Sequence, residues 1–584
     1  MSEASIKAVE EYPPHASVKL NGPPGTGKTT QLLERVVNLL DNGHELSDIT
    51  FATYRKQMAE EFLLRLADRG YATIEEAKEP WEHDTRHFGT IHGVCNRITT
   101  SAEIVDDHHR REFLWDEYMV YYDGKNKEAA ASTDVRDDLG ELLLDAYDWC
   151  IQNKQHSLHN APQYMEIRDE WPACPSFEEL DEAWTAYKER GGNDEDCEYL
   201  QDFSDMLRTV DEEGLTAPGD ILVIDEYHDF TPIMDSICRG WMDGKDTVIA
   251  VGDPKQAIYG HLGASPQYFT DLDLPEVILD RTYRVPSNIW EYAKSVIKHD
   301  VPEIQPDAEG GKVTAARGSP DAVVDSYGDN GSVMYLARTR SQLYDITQSL
   351  KENGIIYRSQ ERLGGWNNAS RRLSLYNTLQ KLQGTRPMDG INPNTGQTGI
   401  EKFGDGSIGA VETLAQNVSL DPEEASALVR FTPAEHFADT KKSVRNTINA
   451  ASELPGAELM DMTEPSFWQA MTKGPDSTDE MLTYDAKPTL RAALERNDEP
   501  VTSLSSPEVP DVLTIHAAKG READTVALYD GIPPAVRDNI HRDERAQHAE
   551  SRVWYVAVTR AAENLLVFRD EYHYCERYLP PITG

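Results

Sequence analysis

The sequence lacks long apolar runs and is poor in positive charge. No stretch of about 18 apolar residues occurs, so no transmembrane helix is predicted. Lys and Arg total 57 against 102 Asp and Glu, which gives a formal net charge of −45. This balance excludes a basic protein that coats nucleic acid and a peripheral protein held to anionic lipid by positive charge. The first residues lack the basic and apolar segments of a secretory signal, so we expect a cytoplasmic protein that does not bind membranes.

Cysteines are few and widely spaced. There are six, and no two lie within four positions of each other. This spacing excludes zinc knuckles and iron–sulfur ligand runs, and a chain of 584 residues buries a large core without disulfides. We therefore predict scattered reduced thiols.

The acidic residues are spread along the whole chain rather than gathered in one tail. Two explanations are open: adaptation of a halophilic protein to molar intracellular salt, or an acidic surface that binds a partner. The even distribution favours salt adaptation. The 10 Trp, 26 Tyr and 13 Phe exclude a largely disordered chain.

The segment Gly22–Thr29 (GPPGTGKT) matches the phosphate-loop pattern G-x-x-x-x-G-K-[ST]. The glycines allow backbone N–H groups to turn inward around phosphate oxygens. An apolar strand precedes the loop and a helix follows it, so the helix dipole points at the same phosphates. Lys28 is placed to reach the β- and γ-phosphates, and Thr29 to offer its hydroxyl to Mg²⁺.

A pair of carboxylates follows a second apolar strand. Asp225 and Glu226 end the run Leu-Val-Ile, and strand ends of this kind meet ligands in open parallel sheets. Such a pair suits a metal ligand beside a residue that orients or deprotonates water. About 200 residues separate the pair from the phosphate loop, which predicts a domain-sized insertion.

Strands and helices alternate in two sets, before about residue 290 and after about residue 330. This alternation predicts parallel sheets in an α/β fold. Residues 105–215 have helical periodicity and no clear strand, which predicts a helical insertion. Residues 299–331 are dense in Pro, Gly and Asp and are predicted to be an interdomain connection.

A series of motifs in this chain resembles the superfamily 1 DNA helicases of the UvrD/Rep type, in the order of that family. After the phosphate loop they are TYRKQMA (53–59), TIH (90–92), DFSDML (202–207), DEYHD (225–229), VGDPKQAIYG (251–260), RTYR (281–284), TIHAAKGRE (514–522) and YVAVTRA (555–561).

The resemblance implies two RecA-like P-loop NTPase cores with parallel sheets and helical insertion subdomains. By comparison with the family, the first core is expected over 1–95 and 200–295, with a helical insertion at 96–199. The second core is expected over 296–380 and 509–584, with a reduced insertion at 381–508.

The resemblance also implies ATP and Mg²⁺ as cofactors, with ATP held in a cleft that closes and opens between the cores. The residues implied in catalysis are Lys28, Asp225, Glu226, Gln256, Arg284 and Arg560, with Gln256 sensing the γ-phosphate and the two arginines neutralising charge on the transferring phosphoryl group. Those implied in nucleotide binding are Gly22, Gly25, Gly27, Lys28, Thr29, Thr30, Tyr283 (adenine) and Glu522 (ribose). Those implied in holding the metal ion are Thr29 and Asp225.

For the nucleic acid, the resemblance implies 3′→5′ translocation on single-stranded DNA, unwinding at duplex junctions and a role in replication or repair, with an accessory loading protein as a further partner. The residues implied in DNA binding are Thr53, Tyr54, Thr90, His92, Tyr259, His261, Thr514 and His516.

The sequence departs from the family pattern at three places. No Gln precedes the phosphate loop, which leaves more of the adenine contact to Tyr283. His261 stands where the family has a Trp that stacks on DNA, and His228 replaces the Gln of DExQD. His261 and the reduced insertion at 381–508 keep a second enzymatic hypothesis open, an RNA-directed or DNA-stimulated ATPase that remodels protein–nucleic acid complexes without unwinding. A non-motor binding protein is a third, and the intact catalytic residues argue against it.

Overall fold

The computed structural model describes residues 12–359 and 509–582, apart from gaps at 14, 79, 81–82, 100–101, 123–138, 194–196, 198, 298–302, 316–319, 328–330, 354, 356 and 570–575. The predicted insertion at 381–508 lies outside the described residues. The chain divides into two compact units: 1–284 with 297–308 and 548–553, and 285–296 with 309–547 and 554–584.

The first unit is built on a parallel sheet of six strands in the order β3-β2-β6-β7-β1-β8. Its strands are β1 (Val18–Asn21), β2 (Ile49–Thr53), β3 (Phe88–Thr90), β6 (Ile221–Ile224), β7 (Thr247–Gly252) and β8 (Glu276–Ile278), and four two-residue strands lie outside this sheet: β4 (Glu103–Ile104), β5 (Leu200–Gln201), β9 (Arg281–Thr282) and β10 (Gln305–Pro306).

Helices cover the sheet and form the insertion. In chain order they are α1 (Lys28–Asp41), α2 (Lys56–Asp68), α3 (Ile74–Lys78), α4 (Ile91–Ile98), α5 (Asp107–Tyr118), α6 (Leu139–Gln152), α7 (Tyr164–Glu170), α8 (Phe177–Glu189), α9 (Phe203–Glu213), α10 (Pro232–Met242) and α11 (Pro266–Thr270). Every residue of β2, β6 and β7 is buried, as expected for central strands covered on both faces.

The strand register sets the position of the functional loops. Asn21 at the end of β1 lies opposite Gly252 at the end of β7, and Ala52 in β2 lies opposite Ile224 at the end of β6. Because all the strands run parallel, the segments that follow them leave the sheet at one edge. The phosphate loop and Asp225 are therefore on the same edge of the first sheet.

Buried aromatic rings pack the helical insertion, in one apolar cluster with residues of β2, β6 and β7. Phe113 of α5 packs against Trp184 and Tyr187 of α8, with ring centroids 4.5 and 5.5 Å apart. Two helices begin with a side-chain N-cap: the Ser176 and Asp202 side chains accept hydrogen bonds from backbone N–H groups at the starts of α8 and α9. The prediction of a helical segment is confirmed for the described residues of 105–215, in which β5, paired with β4, is the one strand.

The second unit is built on another six-stranded parallel sheet, in the order β11-β16-β15-β12-β14-β13. Its strands are β11 (Lys312–Ala315), β12 (Val333–Ala337), β13 (Arg358–Ser359), β14 (Asp511–Thr514), β15 (Ala523–Tyr529) and β16 (Ala561–Phe568), and the remaining helices are α12 (Ser287–Val296), α13 (Pro320–Tyr327), α14 (Arg340–Glu352), α15 (Pro534–Arg542) and α16 (Glu544–Val558). The fold class is confirmed: two parallel sheets of the RecA-like type, flanked by helices.

The prediction that residues 299–331 are an interdomain connection is wrong in part. Lys312–Ala315 forms β11, which pairs with β16 at the edge of the second sheet, and Pro320–Tyr327 forms α13. The density of Pro, Gly and Asp around these short elements concealed them. Among the described residues, no helix is both long enough and apolar enough to cross a membrane.

Candidate functional site

In the phosphate loop, Lys28 hydrogen bonds back to the first residue, and two glycines set the backbone conformation. Gly25 and Gly27 have φ of 75° and 77°, in the left-handed region that other residues enter at a cost. Gly27 also precedes the first turn of α1, so the free N–H groups of that helix face the loop. The Lys28 Nζ donates a hydrogen bond of 2.7 Å to the Gly22 carbonyl. These features give the cradle of N–H groups and the cation that phosphate binding requires.

The segment after β8 is bonded to the phosphate loop. The Tyr283 N–H donates to the Gly25 carbonyl at 2.9 Å, and the Thr282 hydroxyl donates to the Pro24 carbonyl at 2.8 Å. A Cβ atom on Gly25 would lie 2.6 Å from the Cβ of Arg284. The Tyr283 side chain is 47 % exposed, so its ring is available for stacking. The structure thus places two residues predicted for nucleotide chemistry against the loop.

Asp225 directly follows β6, and its backbone N–H donates a hydrogen bond of 2.9 Å to the Ala52 carbonyl. Its carboxylate is buried and accepts the Glu226 N–H at 2.9 Å. Burial, and then the neighbouring Glu226 carboxylate, raise the pKa of Asp225 to about 7, while the Lys28 ammonium acts in the opposite direction. A cation bound here would favour the ionised carboxylate.

Glu226 has an unusual backbone conformation. Its φ is 54°, and only two other described non-glycine residues, Met119 and Lys154, have positive φ. A non-glycine residue in this region costs of the order of 1–2 kcal/mol and is held there by its surroundings. At Glu226 the backbone turns away from the direction of β6, while the Asp225 side chain stays buried. The two carboxylates therefore have different environments, as expected for different roles.

Gln256 is joined to the end of β7 through Asp253. The Gln256 Nε2 donates to Asp253 Oδ2 at 2.7 Å, and both side chains are buried. Burial raises the pKa of Asp253, while the Lys28 charge and the Gln256 hydrogen bond lower it. Lys28 therefore acts on both Asp225 and Asp253. Asp253 was not predicted as a site residue, although its position directly after the buried strand β7 was a usable signal.

His228 lies fully buried next to Glu226 and Asp253. The Asp253 N–H donates to His228 Nδ1 at 2.9 Å. A neutral imidazole whose Nδ1 accepts a hydrogen bond carries its proton on Nε2. His228 Nε2 lies 3.1 Å from Glu226 Oε2 and 3.7 Å from Asp229 Oδ1.

Glu226, His228 and Asp229 have the composition of a metal site, with ligand atoms within 4.8 Å of one another. The hydrogen bond from Asp253 argues against that use. Metal binding at Nε2 would require the imidazole proton to move to Nδ1, where it would face the Asp253 N–H. We therefore assign His228 to hydrogen bonding rather than to metal coordination.

An aromatic cluster lies on the first unit, formed by three predicted DNA-binding residues. Tyr54 and Tyr259 stack with ring centroids 5.5 Å apart, and His261 lies 6.2 Å from Tyr259 and is exposed. The Arg55 guanidinium lies over the Tyr259 ring and bonds to its hydroxyl. Aromatic faces with a cation beside them suit stacking on bases and contact with phosphate.

The helical insertion supports the loop that carries His261. The Trp149 Nε1 of α6 donates to the His261 carbonyl at 2.9 Å, and the Asn153 Nδ2 donates to the Leu262 carbonyl at 3.1 Å. Neither supporting residue was predicted from the sequence. Trp149 lies in α6 and Asn153 directly follows it, in a stretch with no motif and more than a hundred positions from the loop, so no sequence pattern could have found them.

The remaining predicted DNA contacts of this unit differ in exposure. The Thr53 side chain is fully buried, so a contact there would have to use its backbone. Thr90 caps α4 by accepting the Gly93 N–H. His92 lies edge-on to the exposed ring of Phe203, and burial lowers the pKa of His92 to about 4. The His92 imidazole is therefore neutral at pH 7 and offers no charge to a phosphate.

Arg560 belongs to the second unit and is almost fully buried. Its guanidinium donates to the carbonyls of Val556 and Arg521 and to the Thr559 hydroxyl, at 3.0, 3.2 and 3.3 Å. The end of α16 and the turn before β15 therefore fix the guanidinium in this unit. Glu522 is exposed beside Arg521.

Thr514 and His516 follow β14, at the carboxyl end of the second sheet. The Thr514 hydroxyl accepts the Ala517 N–H at 3.3 Å, which stabilises the turn containing His516. Both side chains are partly exposed. Their position at a strand end is the one expected for ligand-binding residues of a parallel sheet.

Comparison with known proteins gives two family matches. The UvrD/REP helicase N-terminal domain matches residues 1–274, and the UvrD-like helicase C-terminal domain matches residues 471–571. Together they cover more than half of the chain.

Several individual proteins are also similar. The chain is 26 % identical over 298 residues to "ATP-dependent DNA helicase UvrD2" of Mycobacterium bovis and of Mycobacterium tuberculosis, covering 47 % of this chain but only 40 % of those relatives. It is 23 % identical over 619 residues to "ATP-dependent DNA helicase PcrA" of Leuconostoc citreum, covering 93 % of this chain and 78 % of that protein. The chain belongs to the UvrD-type helicases of superfamily 1.

Proposed function

We propose that this protein is an ATP-dependent DNA helicase that moves 3′→5′ along single-stranded DNA in replication or repair. The observation that supports this most directly is the arrangement at the carboxyl edge of the first sheet. Lys28, Asp225 and Gln256 come together there, with Tyr283 and Arg284 packed on the phosphate loop. The relatives named above are DNA helicases, which supports DNA as the track.

The residues at this edge fit ATP and Mg²⁺. The loop N–H groups, Lys28, Thr29 and Thr30 would bind the phosphates, and Tyr283 would stack on adenine. Glu522, which belongs to the second unit, would bind ribose. A buried carboxylate and a hydroxyl are the oxygen ligands that Mg²⁺ uses, so Asp225 and Thr29 would hold it. When bound, the ion would neutralise charge on the phosphates.

The chain's own groups supply the rest of the hydrolysis chemistry. Glu226 would take a proton from the attacking water, which its turn away from buried Asp225 permits. Gln256 would hydrogen bond to the γ-phosphate. Arg284 and Arg560 would stabilise the charge on the transferring phosphoryl group.

The DNA strand would contact the Tyr54–Tyr259–His261 cluster of the first unit by stacking, and Thr90, His92 and the Thr53 backbone would be further contacts from that unit. Thr514 and His516 would be the contacts from the second unit. Stacking and short hydrogen bonds persist in molar salt, whereas the counterion-release part of DNA affinity declines steeply as salt rises. This mode of binding is compatible with a net charge of −45.

The test is steady-state ATP hydrolysis in about 2 M KCl, where charges are screened within about 3 Å, with and without single-stranded DNA. Lys28→Ala is the blank. Strand displacement is then measured on duplexes with either a 3′ or a 5′ single-stranded tail. We expect hydrolysis stimulated by DNA and displacement only from the 3′ tail.

Other outcomes separate the alternatives. DNA-stimulated hydrolysis without displacement would favour the remodelling ATPase, a possibility supported by the exposed imidazole of His261 where the family has an indole. Hydrolysis indifferent to DNA would overturn DNA as the track. A folded protein with no hydrolysis would overturn the enzymatic function.

A further inference from the structure

A continuous set of contacts connects the γ-phosphate sensor with the catalytic carboxylate of the first unit. Gln256 Nε2 donates to the Asp253 carboxylate at 2.7 Å, and the Asp253 backbone N–H donates to His228 Nδ1 at 2.9 Å. His228 Nε2 then lies 3.1 Å from Glu226 Oε2. One imidazole therefore links the end of β7 with the turn after β6.

The position of this imidazole is strongly constrained. His228 is fully buried, and a Cβ atom on Gly252 would lie 3.2 Å from its Nδ1, so the strand end leaves just enough room for the ring. The hydrogen bond from Asp253 fixes the proton on Nε2, on the side of Glu226. The ring thus places its Nε2 3.1 Å from Glu226 Oε2, a close polar contact that does not have the geometry of a hydrogen bond.

Glu226 needs such support. Its backbone is in the left-handed region, and its Oε2 is buried without accepting a hydrogen bond from the described residues. A carboxylate that is to bind one water in line with a phosphoryl group must be held in one rotamer. His228 Nε2–H is the polar group next to this oxygen at 3.1 Å.

We propose that His228 is a positioning residue for ATP hydrolysis: it holds the Glu226 carboxylate towards the attacking water and transmits the state of the Gln256–Asp253 loop to it. This inference rests on the proposed ATPase function. Gln256 changes partners when it reaches a γ-phosphate, which changes the Asp253 contact, and the imidazole passes the displacement on to Glu226. Nucleotide binding itself does not depend on this path.

The test compares four variants in the full chain. His228→Leu removes both polar contacts. His228→Gln reaches towards Glu226 with its terminal amide, as Nε2 does, whereas His228→Asn places an acceptor near the Nδ1 position and cannot reach Glu226. His87→Gln changes another buried histidine of the same unit, one with no proposed role, and is the matched control.

We expect His228→Leu to lower kcat for ATP by roughly 10- to 100-fold, as small misplacements of catalytic groups do, with KM nearly unchanged. His228→Gln should recover most of that loss and His228→Asn should not. His87→Gln should keep the parental kcat. In a Glu226→Gln background, His228→Leu should cause no further loss, because the group it positions is already gone.

Three results would overturn the proposal: a kcat for His228→Leu equal to that of the parent, a change confined to KM, or a full additional loss in the Glu226→Gln background. If His228→Leu fails to fold, equal kcat values for the Gln and Asn variants would overturn it. Absence of ATPase activity in the folded parent would contradict the proposed function instead, so the two failures are distinguishable.

Discussion

Glu226 and Asp225 are adjacent in sequence, but their environments differ. Asp225 is buried, whereas Glu226 turns away in a left-handed conformation. We predict that Glu226→Gln will keep ATP binding and lose most turnover, by about 10²- to 10⁴-fold, because the amide cannot accept a proton. The measurements are kcat and equilibrium binding of a fluorescent ATP analogue. Turnover at the parental rate would exclude Glu226 as the base.

Two glycines of the phosphate loop allow a matched comparison. Both have left-handed φ, but a Cβ on Gly25 would lie 2.6 Å from atoms of Arg284 and Thr282, whereas a Cβ on Gly27 meets nothing closer than 3.9 Å. Each Ala substitution incurs the backbone cost of about 1–2 kcal/mol, and Gly25→Ala adds a steric clash of about 1–3 kcal/mol.

Urea unfolding of the nucleotide-free protein measures this difference. We expect Gly25→Ala to lower the free energy of unfolding of the first unit more than Gly27→Ala does. Equal losses would mean that residues 282–284 do not pack on the loop as described. Activity is not the readout, because either methyl group could also obstruct the phosphates.

At the scale of elements, the central strands and the phosphate-loop helix were predictable, and the short edge strands were not. Strands such as β7 are continuous buried apolar runs, which the sequence displays directly. By contrast, β8 and β11 have mostly exposed or partly exposed residues and only three or four positions. Their pairing depends on neighbours far away in sequence, which local periodicity does not record.

The candidate site shows the same division. Lys28, Asp225 and Gln256 could be predicted because each has a motif around it. The contact between His228 and Asp253 could not be predicted, because it joins two loops through a backbone N–H that has no sequence signature. Likewise, nothing in the sequence indicated that Trp149 supports the loop containing His261.

The helical insertion is joined to the helix α9 by a buried charged network. Asp148 of α6 accepts the Ser204 hydroxyl at 2.9 Å, and the Lys188 Nζ contacts the carboxylates of Asp202 and Asp205 at 3.0 and 2.6 Å. Burial, and then the Asp202 charge, raise the pKa of Asp148 to about 7, with Arg110 acting in the opposite direction. Asp148 is therefore largely protonated in the folded state below neutral pH.

This pKa predicts a pH-dependent stability. A carboxyl group whose pKa is higher in the folded state binds more protons there, so its contribution to stability is lost as pH rises from about 4 towards 7. Asp148→Asn mimics the protonated form and should be about as stable as the parent at pH 5. At pH 8 the free energy of unfolding of Asp148→Asn should exceed that of the parent by about 1–3 kcal/mol. This is less than the whole pKa shift of Asp148 would give, because its side chain is partly exposed.

Thermal or urea unfolding at pH 5 and pH 8 measures the difference. Asp145→Asn, which neutralises an exposed carboxylate on the same helix, is the control and should show a much smaller pH dependence. A difference between Asp148→Asn and the parent that is the same at both pH values would contradict the raised pKa of Asp148.

At the scale of the whole molecule, the net charge of −45 is the dominant feature. Like charges repel in the compact state more than in the unfolded chain, and the repulsion is screened over about 10 Å at 0.1 M salt but about 3 Å at 1 M. If the acidity is an adaptation to salt, the folded protein needs that screening. A surface that is acidic because it binds a partner would leave the isolated protein stable in dilute buffer.

We predict that Tm will rise by more than about 5 °C between 0.1 and 2 M KCl, which corresponds to a gain of at least 1–2 kcal/mol for domains of this size. Sucrose at matched water activity is the control, because it favours compact states without screening charge. A rise with KCl well beyond that with sucrose would establish screening as the cause. A Tm that is unchanged or falls with KCl would favour the acidic partner-binding surface. Low salt would then be the right condition for measuring DNA affinity, because counterion release contributes most to binding there.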